Sequence, residues 1–179
     1  MNYISIPLEN EAVVNKVLVS NYNDKDDSVV FLLVDVKGER HILSAGKNKK
    51  GLLGQGKKDG ADVIESRKFT KLDYDHTNTN FTEVFAGYDH AFAVTDKGEL
   101  YGWGCNIHRR LGHDTEGDKF SPTKLEKFND YFIHSVACGS IHSVIIAHKR
   151  EDPSQRKVIL TVGIEESIIA QLGITKEEF

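Results

Sequence analysis

Cys105 and His108, with His113 close behind, and Cys138 followed four residues later by His142, set thiol and imidazole at spacings that zinc sites use. Ser140 near His142, and Asp89 beside His90, are the neighbours that could support nucleophilic catalysis with histidine as base. The glycines in "AGKNKKGLLGQG" (45–56) and "WGCNIHRRLGHD" (103–114) could cradle a phosphate through backbone N–H groups. Paired carboxylates occur at Glu165-Glu166 and Glu177-Glu178, in polar stretches that read as solvated charge.

Two of these readings weaken on local grounds, and composition weighs against a nucleic-acid partner. Adjacent strand residues point to opposite faces, so Asp89 and His90 are not expected to form a dyad. No Gly-Lys-Ser/Thr follows either glycine run, and "GWGCN" is not a G-x-G-x-x-G element opening a helix. The formal charge of −4, from 23 Lys and Arg against 27 Asp and Glu, removes the basic excess on which nucleic-acid binders depend.

What must position these residues is a repeat. Placing 45–56 above 103–114 aligns Gly46 with Gly104, Asn48 with Asn106, Leu53 with Leu111 and Gly54 with Gly112, all at one offset (104 − 46 = 58). A third copy, "VGIEESIIAQLG" (162–173), offers Gly163 for Gly104 and Leu172-Gly173 for Leu111-Gly112, with two extra residues between. Upstream, Gly87-x-x-His90 matches Gly139-x-x-His142, and the first copy lacks this element.

Within a unit the pattern is β. "HAFAVT" and "ELYGW" bracket the turn "DKG" as a hairpin would. "RKFTKLDY" (67–74) and "SPTKLEKF" (121–128) read as the next strand of their units, with Pro122 near its start, where a missing donor costs least. Ile164, Ile168, Ile169 and Leu172 also fit an amphipathic helix closed by Gly173.

The repeat weighs against the metal reading, because the places matching Cys105 hold Lys47 and Ile164 and no ligand set recurs. It also assigns the glycines to tight turns and close backbone approach. His90 and His142 then read as partly buried residues that hydrogen-bond backbone across each unit. No cofactor, metal or catalytic group is expected.

These residues resemble the regulator-of-chromosome-condensation repeat, whose pattern runs approximately G-x-x-H, strand, G-x-L-Y-x-W-G-x-N-x-x-G-Q-L-G. The second unit carries Gly87, His90, Gly98, Leu100, Tyr101, Trp103, Gly104, Asn106, Leu111 and Gly112 of it. The first keeps Gly46, Asn48, Gly51, Leu53, Gly54 and Gly56; the third keeps Gly139, His142, Gly163, Gln171, Leu172 and Gly173. Arg109 and Arg110 stand where the family has Gly-Gln, Leu52 replaces its Gln, and Ala45 and Val162 take the tryptophan place.

The resemblance implies an all-β chain forming a partial β-propeller of about three blades, a segment of a seven-bladed ring or one completed by a partner. The expected organisation is one repeat domain over 1–179: a strand of a preceding blade at 1–12, then units at 13–75, 81–129 and 131–175. Open blade edges would need covering by further chain, another subunit or a second copy. Lys47, Lys49, Lys50, Lys57 and Lys58 in the first loop, with His108, Arg109, Arg110 and His113 in the second, are expected to gather on one rim as a basic patch. That rim would suit an acidic protein surface.

The expected role is a non-catalytic interaction scaffold or structural subunit of an intracellular assembly. The N-terminus lacks a secretory pattern, no apolar run approaches the ~20 residues that cross a bilayer, and membrane or nucleic-acid binding is not expected. Cytoplasm or cytoskeleton is the expected compartment, with the nucleus as alternative; the final "KEEF" is similar to the acidic-aromatic ending of tubulin tails. The alternative role implied by the family is guanine-nucleotide exchange on a small GTPase at chromatin. That activity needs a wedge that no residue here matches.

Overall fold

The computed structural model describes residues 12–21 and 28–163 of the chain. The first strands are β1 (Ala12–Asn21), β2 (Ser28–Val36), β3 (Glu39–Lys47), the two-residue β4 (Lys57–Lys58) and β5 (Ala61–Asp62), and β6 (Glu65–Lys71). There follow β7 (Phe81–Ala86), β8 (His90–Thr95), β9 (Leu100–Gly104), β10 (Lys119–Lys124), β11 (Tyr131–Cys138), β12 (His142–Lys149) and β13 (Lys157–Gly163). Two short 3-10 turns, Ile107–Arg109 and Glu126–Phe128, are the helical elements among the described residues.

The strands form successive antiparallel sheets, ordered β1-β2-β3-β6, β7-β8-β9-β10 and β11-β12-β13, with β4-β5 as a small separate ribbon. Tight turns join them. Lys37 and Gly38 both take positive φ between β2 and β3, which suits the right-handed twist of the hairpin. Gly98, also at positive φ, closes the β8–β9 turn by donating to the Thr95 carbonyl. Pro122 lies on the outer strand β10 where the ladder to β9 is interrupted between Lys119 and Thr123, so its missing N–H breaks no pairing.

The three sheets stack in series as propeller blades. On β8 every residue is buried, because alternate side chains pack on opposite neighbours. Ala91 and Ala93, with Phe81, Val84 and Trp103, meet Val29, Phe31, Leu33 and Ile42 of sheet one. Phe92, Val94 and Leu100 meet Ile133, Val136, Ile145, Ala147 and Val162 of sheet three.

One glycine position recurs in all three sheets. Gly46, Gly104 and Gly163 pair with Val29, His90 and His142, and all three take positive φ. A Cβ at any of them would collide with the carbonyl oxygen of Ser28, Asp89 or Ile141. Glycine is therefore required for strand closeness, and the same register places Val29 where the other two blades hold histidine.

The next residue outward seats one blade on the last. Trp103 donates its indole N–H to the Leu52 carbonyl in the first glycine loop (2.9 Å) and meets Phe31 edge-on at 5.9 Å. Its ring lies so close to Gly54 that a Cβ there would be 2.8 Å from Nε1. Val162 repeats the contact one blade later, its Cγ1 at 2.9 Å from where a Gly112 Cβ would stand.

The outer ends of the stack remain apolar. Val13, Val17 and Val19 of β1 are each 59% exposed, and Ile159 of β13 is 68% exposed. Sheet three has three strands among the described residues, against four in each of the others. Residues 1–11 of the expected strand at 1–12, the helix reading over 164–172, Gly173 and "KEEF" lie outside the described residues.

Trp103→Ala, which removes a fully buried ring and its hydrogen bond, is expected to lower stability by about 3–5 kcal/mol in equilibrium denaturant unfolding.

Candidate interaction site

Each of the two described glycine loops is built around one asparagine. Asn48 Oδ1 accepts the backbone N–H groups of Lys50 (2.8 Å) and Leu52 (3.2 Å), and Asn106 Oδ1 accepts that of Leu111 (3.3 Å). The Asn106 amide also donates to the Thr115 carbonyl, tying down the far side of its loop. In both loops a turn closes from the glycine of Leu-Gly onto the residue three before it: Gly54 donates to the Gly51 carbonyl and Gly112 to that of Arg109. The residue after Leu-Gly reaches back to β-strand backbone, Gln55 to the Ser44 carbonyl and His113 to that of Gly102.

This geometry splits the expected basic rim. Lys49, His108 and Arg109 are exposed, and Lys47 and Lys50 are half-buried. Arg110 and His113 are 6% and 9% exposed, and the expectation that they face a partner is corrected. Arg110 occupies the place of Leu52, which is buried in the first loop, so its backbone position aims the side chain inward. His113 takes the place of Gln55, and burial is the first cause that holds its imidazole below the ordinary value. The patch is also not purely basic, since Glu116 and Asp118 line the cleft beside Asn106, Ile107, His108 and Arg109. Asp118 lies 3.7 Å from Lys50 Nζ and accepts the Asn106 N–H.

Arg109 stands apart from the rest. It takes the position of Gly51 and keeps that residue's left-handed backbone, with φ 54° against 83°, and His108 before it has φ 60°. Holding a side chain there costs about 1–3 kcal/mol. Lys127, which the sequence reading did not single out, is its neighbour: burial lowers the pKa of Lys127, Asp114 opposes, and Arg109 lowers it further.

Arg110 instead enters a sealed polar network between sheets two and three. Its Nη1 meets Asp89 Oδ1 at 2.5 Å and donates to the Ser140 carbonyl at 2.9 Å, while Nε donates to Ile107. Asp89 sits just before β8, so strand alternation does not govern it, and its Oδ1 comes within 3.6 Å of His90 Nδ1. His90 Nε2 is 2.8 Å from Ser143 Oγ on the next sheet, a side-chain bond rather than the expected backbone one. Ser143 is bonded to His90, but Asp89 stops short of a hydrogen bond to His90 Nδ1, and Ser143 and His90 are both 0% exposed, so no relay is completed and no substrate atom can reach the hydroxyl. No sequence pattern marks Ser143, because its place in the second unit is Ala91. Asp89 and Arg110 could have been paired as two charged departures within one unit.

The cysteines do not converge. Cys105 is buried, donates its backbone N–H to the Asp89 carbonyl, and has its thiol pushed up to about 11, chiefly by burial. The Cys138 thiol is pushed up to about 12 for the same reason. Among the described residues no three His, Cys, Asp or Glu side chains gather as a metal site, and no helix is long and apolar enough to cross a membrane. Gly87 and Gly139 play one role twice, donating to the carbonyls of His90 and His142.

Removing the cation of the buried pair leaves Asp89 uncompensated, so Arg110→Met is expected to cost about 3–5 kcal/mol, and adding Asp89→Asn should recover much of it. Burial holds His90 below its ordinary pKa against the raising influence of Asp89. Unfolded histidine titrates near about 6.5, so the unfolded chain takes up a proton that folded His90 refuses, and stability declines as pH falls through that value. Burial works to raise Asp89, but His90 and Arg110 prevail and lower it, so its contribution is lost only at more acidic pH. The denaturant midpoint should therefore fall between pH 7 and 5, less steeply in His90→Gln.

Residues 97–146 and 81–109 match two family profiles, both described as the regulator of chromosome condensation (RCC1) repeat. The serine/threonine-protein kinase Nek9 of Xenopus laevis is 33% identical over 113 residues, 63% of this chain and 12% of that protein. The ultraviolet-B receptor UVR8 of Arabidopsis thaliana is 31% identical over 117 residues, 65% of this chain and 25% of the receptor. The chain thus spans a quarter or less of these relatives. Among solved structures, human WBSCR16 superposes with a TM-score of 0.60 at 22% identity, over 90% of this chain and 43% of that one. Prp20p of Saccharomyces cerevisiae, described with binding properties to Gsp1p and histones, gives 0.57 at 22% identity, over 86% and 39%. Profiles, relatives and blade geometry agree: residues 81–146 match the regulator-of-chromosome-condensation repeat, and the three sheets fold as consecutive blades of a β-propeller.

Proposed function

We propose that this chain is a non-catalytic interaction module, a run of propeller blades that serves as a scaffold within a larger protein assembly. The observation that carries the reading is Arg109. An exposed arginine keeps a strained left-handed backbone where the first loop has glycine, and a residue held against strain at the surface is best accounted for by what it contacts. Beside it lie exposed Ile107, His108 and the Lys127 ammonium, an apolar and cationic side of a cleft whose other wall carries Glu116 and Asp118, and the cationic side suits an acidic protein segment. The apolar outer faces at Val13, Val17 and Val19 and at Ile159 call for protein cover of the kind each inner blade receives.

Guanine-nucleotide exchange, which the family resemblance implies, is the competing activity. The sealed state of the His90–Ser143 pair supports the non-catalytic part of the reading.

The test uses affinity capture from extracts of the native cells with quantitative mass spectrometry. Arg109→Gly is expected to reduce recovery of the principal bound protein at least five-fold, with the fold intact by circular dichroism. Unchanged recovery would remove Arg109 from the site. Accelerated nucleotide release from any of a panel of purified small GTPases would replace the scaffold reading by exchange.

A further inference from the structure

We propose that His134 and His148 form a proton-operated clasp that fastens the end of sheet three to the β8–β9 turn of sheet two and opens on acidification. The clasp begins with a bulge. The β11–β12 register shifts between Ile133 and Ser135, which takes His134 out of the ladder and sets its Nε2 2.8 Å from His148 Nδ1. A hydrogen bond between two imidazoles needs one N–H and one lone pair, so the pair holds together only while at least one ring is neutral. A second proton would set two N–H groups and two positive charges against each other at that distance.

The surroundings resist that second proton. Lys157 of β13 stands opposite His148 in register. The His134 pKa is lowered by burial first, then by His148 and Lys157. From the β12–β13 turn, the Asp152 carboxylate bears on His148 with the opposite sign, and Arg150 adds a further cation close by. Lys97 faces the group from the β8–β9 turn through its carbonyl.

What the pair fastens is Phe132. Its ring stacks on His148 at 5.3 Å and 19° and lies 5.4 Å from His134, and the Arg150 guanidinium stands 5.6 Å from its centre. On the other side Phe132 presses on Gly98 so closely that a Cβ there would be 2.5 Å from the ring. Ile133 donates its N–H to the Gly98 carbonyl, and Arg150 Nη2 donates to that of Lys97. Parting of the histidines frees the face of Phe132 that they hold, and with it the contact to the neighbouring blade. This junction is separate from the His90 network, which lies at the other end of β12.

Amide hydrogen exchange of the whole chain, corrected for intrinsic rates, tests the clasp between pH 7.5 and 5. Protection at the Ile133 and Arg150 amides should drop at least ten-fold more than at Leu33 in sheet one. His134→Gln, which keeps a single uncharged hydrogen-bonding partner for His148, should abolish the excess; His148→Gln should do the same, and His90→Gln should retain it. Nitrogen-15 shifts of the two imidazoles should show two separated protonation steps. Equal loss of protection at Ile133 and Leu33, an undiminished excess in His134→Gln, or two histidines titrating independently would overturn the clasp.

Discussion

A blade of this kind is apolar on both faces, and it is stable only when each face meets another blade. Sheet two shows the condition satisfied twice over, with the small residues of β8 against sheet one and the large ones against sheet three. Everything else follows from how a blade finds its seat. The indole of Trp103 sits on the loop of the blade before it, bonded to Leu52 and closed over Gly54, and Val162 does the same with less surface and no hydrogen bond. The weaker residue at the third seat has company in the Asp89–Arg110 pair and the His90–Ser143 bond, which tie sheets two and three by polar means.

That division gives the two adjacent arginines opposite meanings. Arg110 faces inward because the loop hydrogen bonds that Asn106 makes to Leu111 and Thr115 fix the backbone one residue away. Arg109 faces outward because its backbone must turn left-handed to let Gly112 close onto its carbonyl. A glycine would make that turn without strain. The side chain is therefore a departure that the fold does not need, in the loop where the neighbouring arginine takes the buried place of Leu52 and pairs with Asp89.

Much of this architecture was legible in the sequence, because a repeat writes the same constraint more than once. Gly46, Gly104 and Gly163 recur since each must admit a neighbouring carbonyl, and the offset between the two loops equates Asn48 with Asn106. Contacts between units were harder to read. The alignment sets Arg109 over Gly51 and Arg110 over Leu52, but it does not show that a charge at the second place turns inward to meet Asp89. Ser143 and Lys127 were missed for a related reason, as each acts through a partner on another blade or loop. Asp89 lies just before β8, so alternation does not set its direction, and it pairs with Arg110 while staying 3.6 Å from His90 Nδ1.

The assignment of Arg109 to recognition rather than stability is tested most directly by the equilibrium unfolding free energy of Arg109→Gly beside wild type. Relief of the left-handed arginine should raise stability by about 1 kcal/mol. A variant less stable than wild type would show that the side chain supports the fold, and would contradict the account.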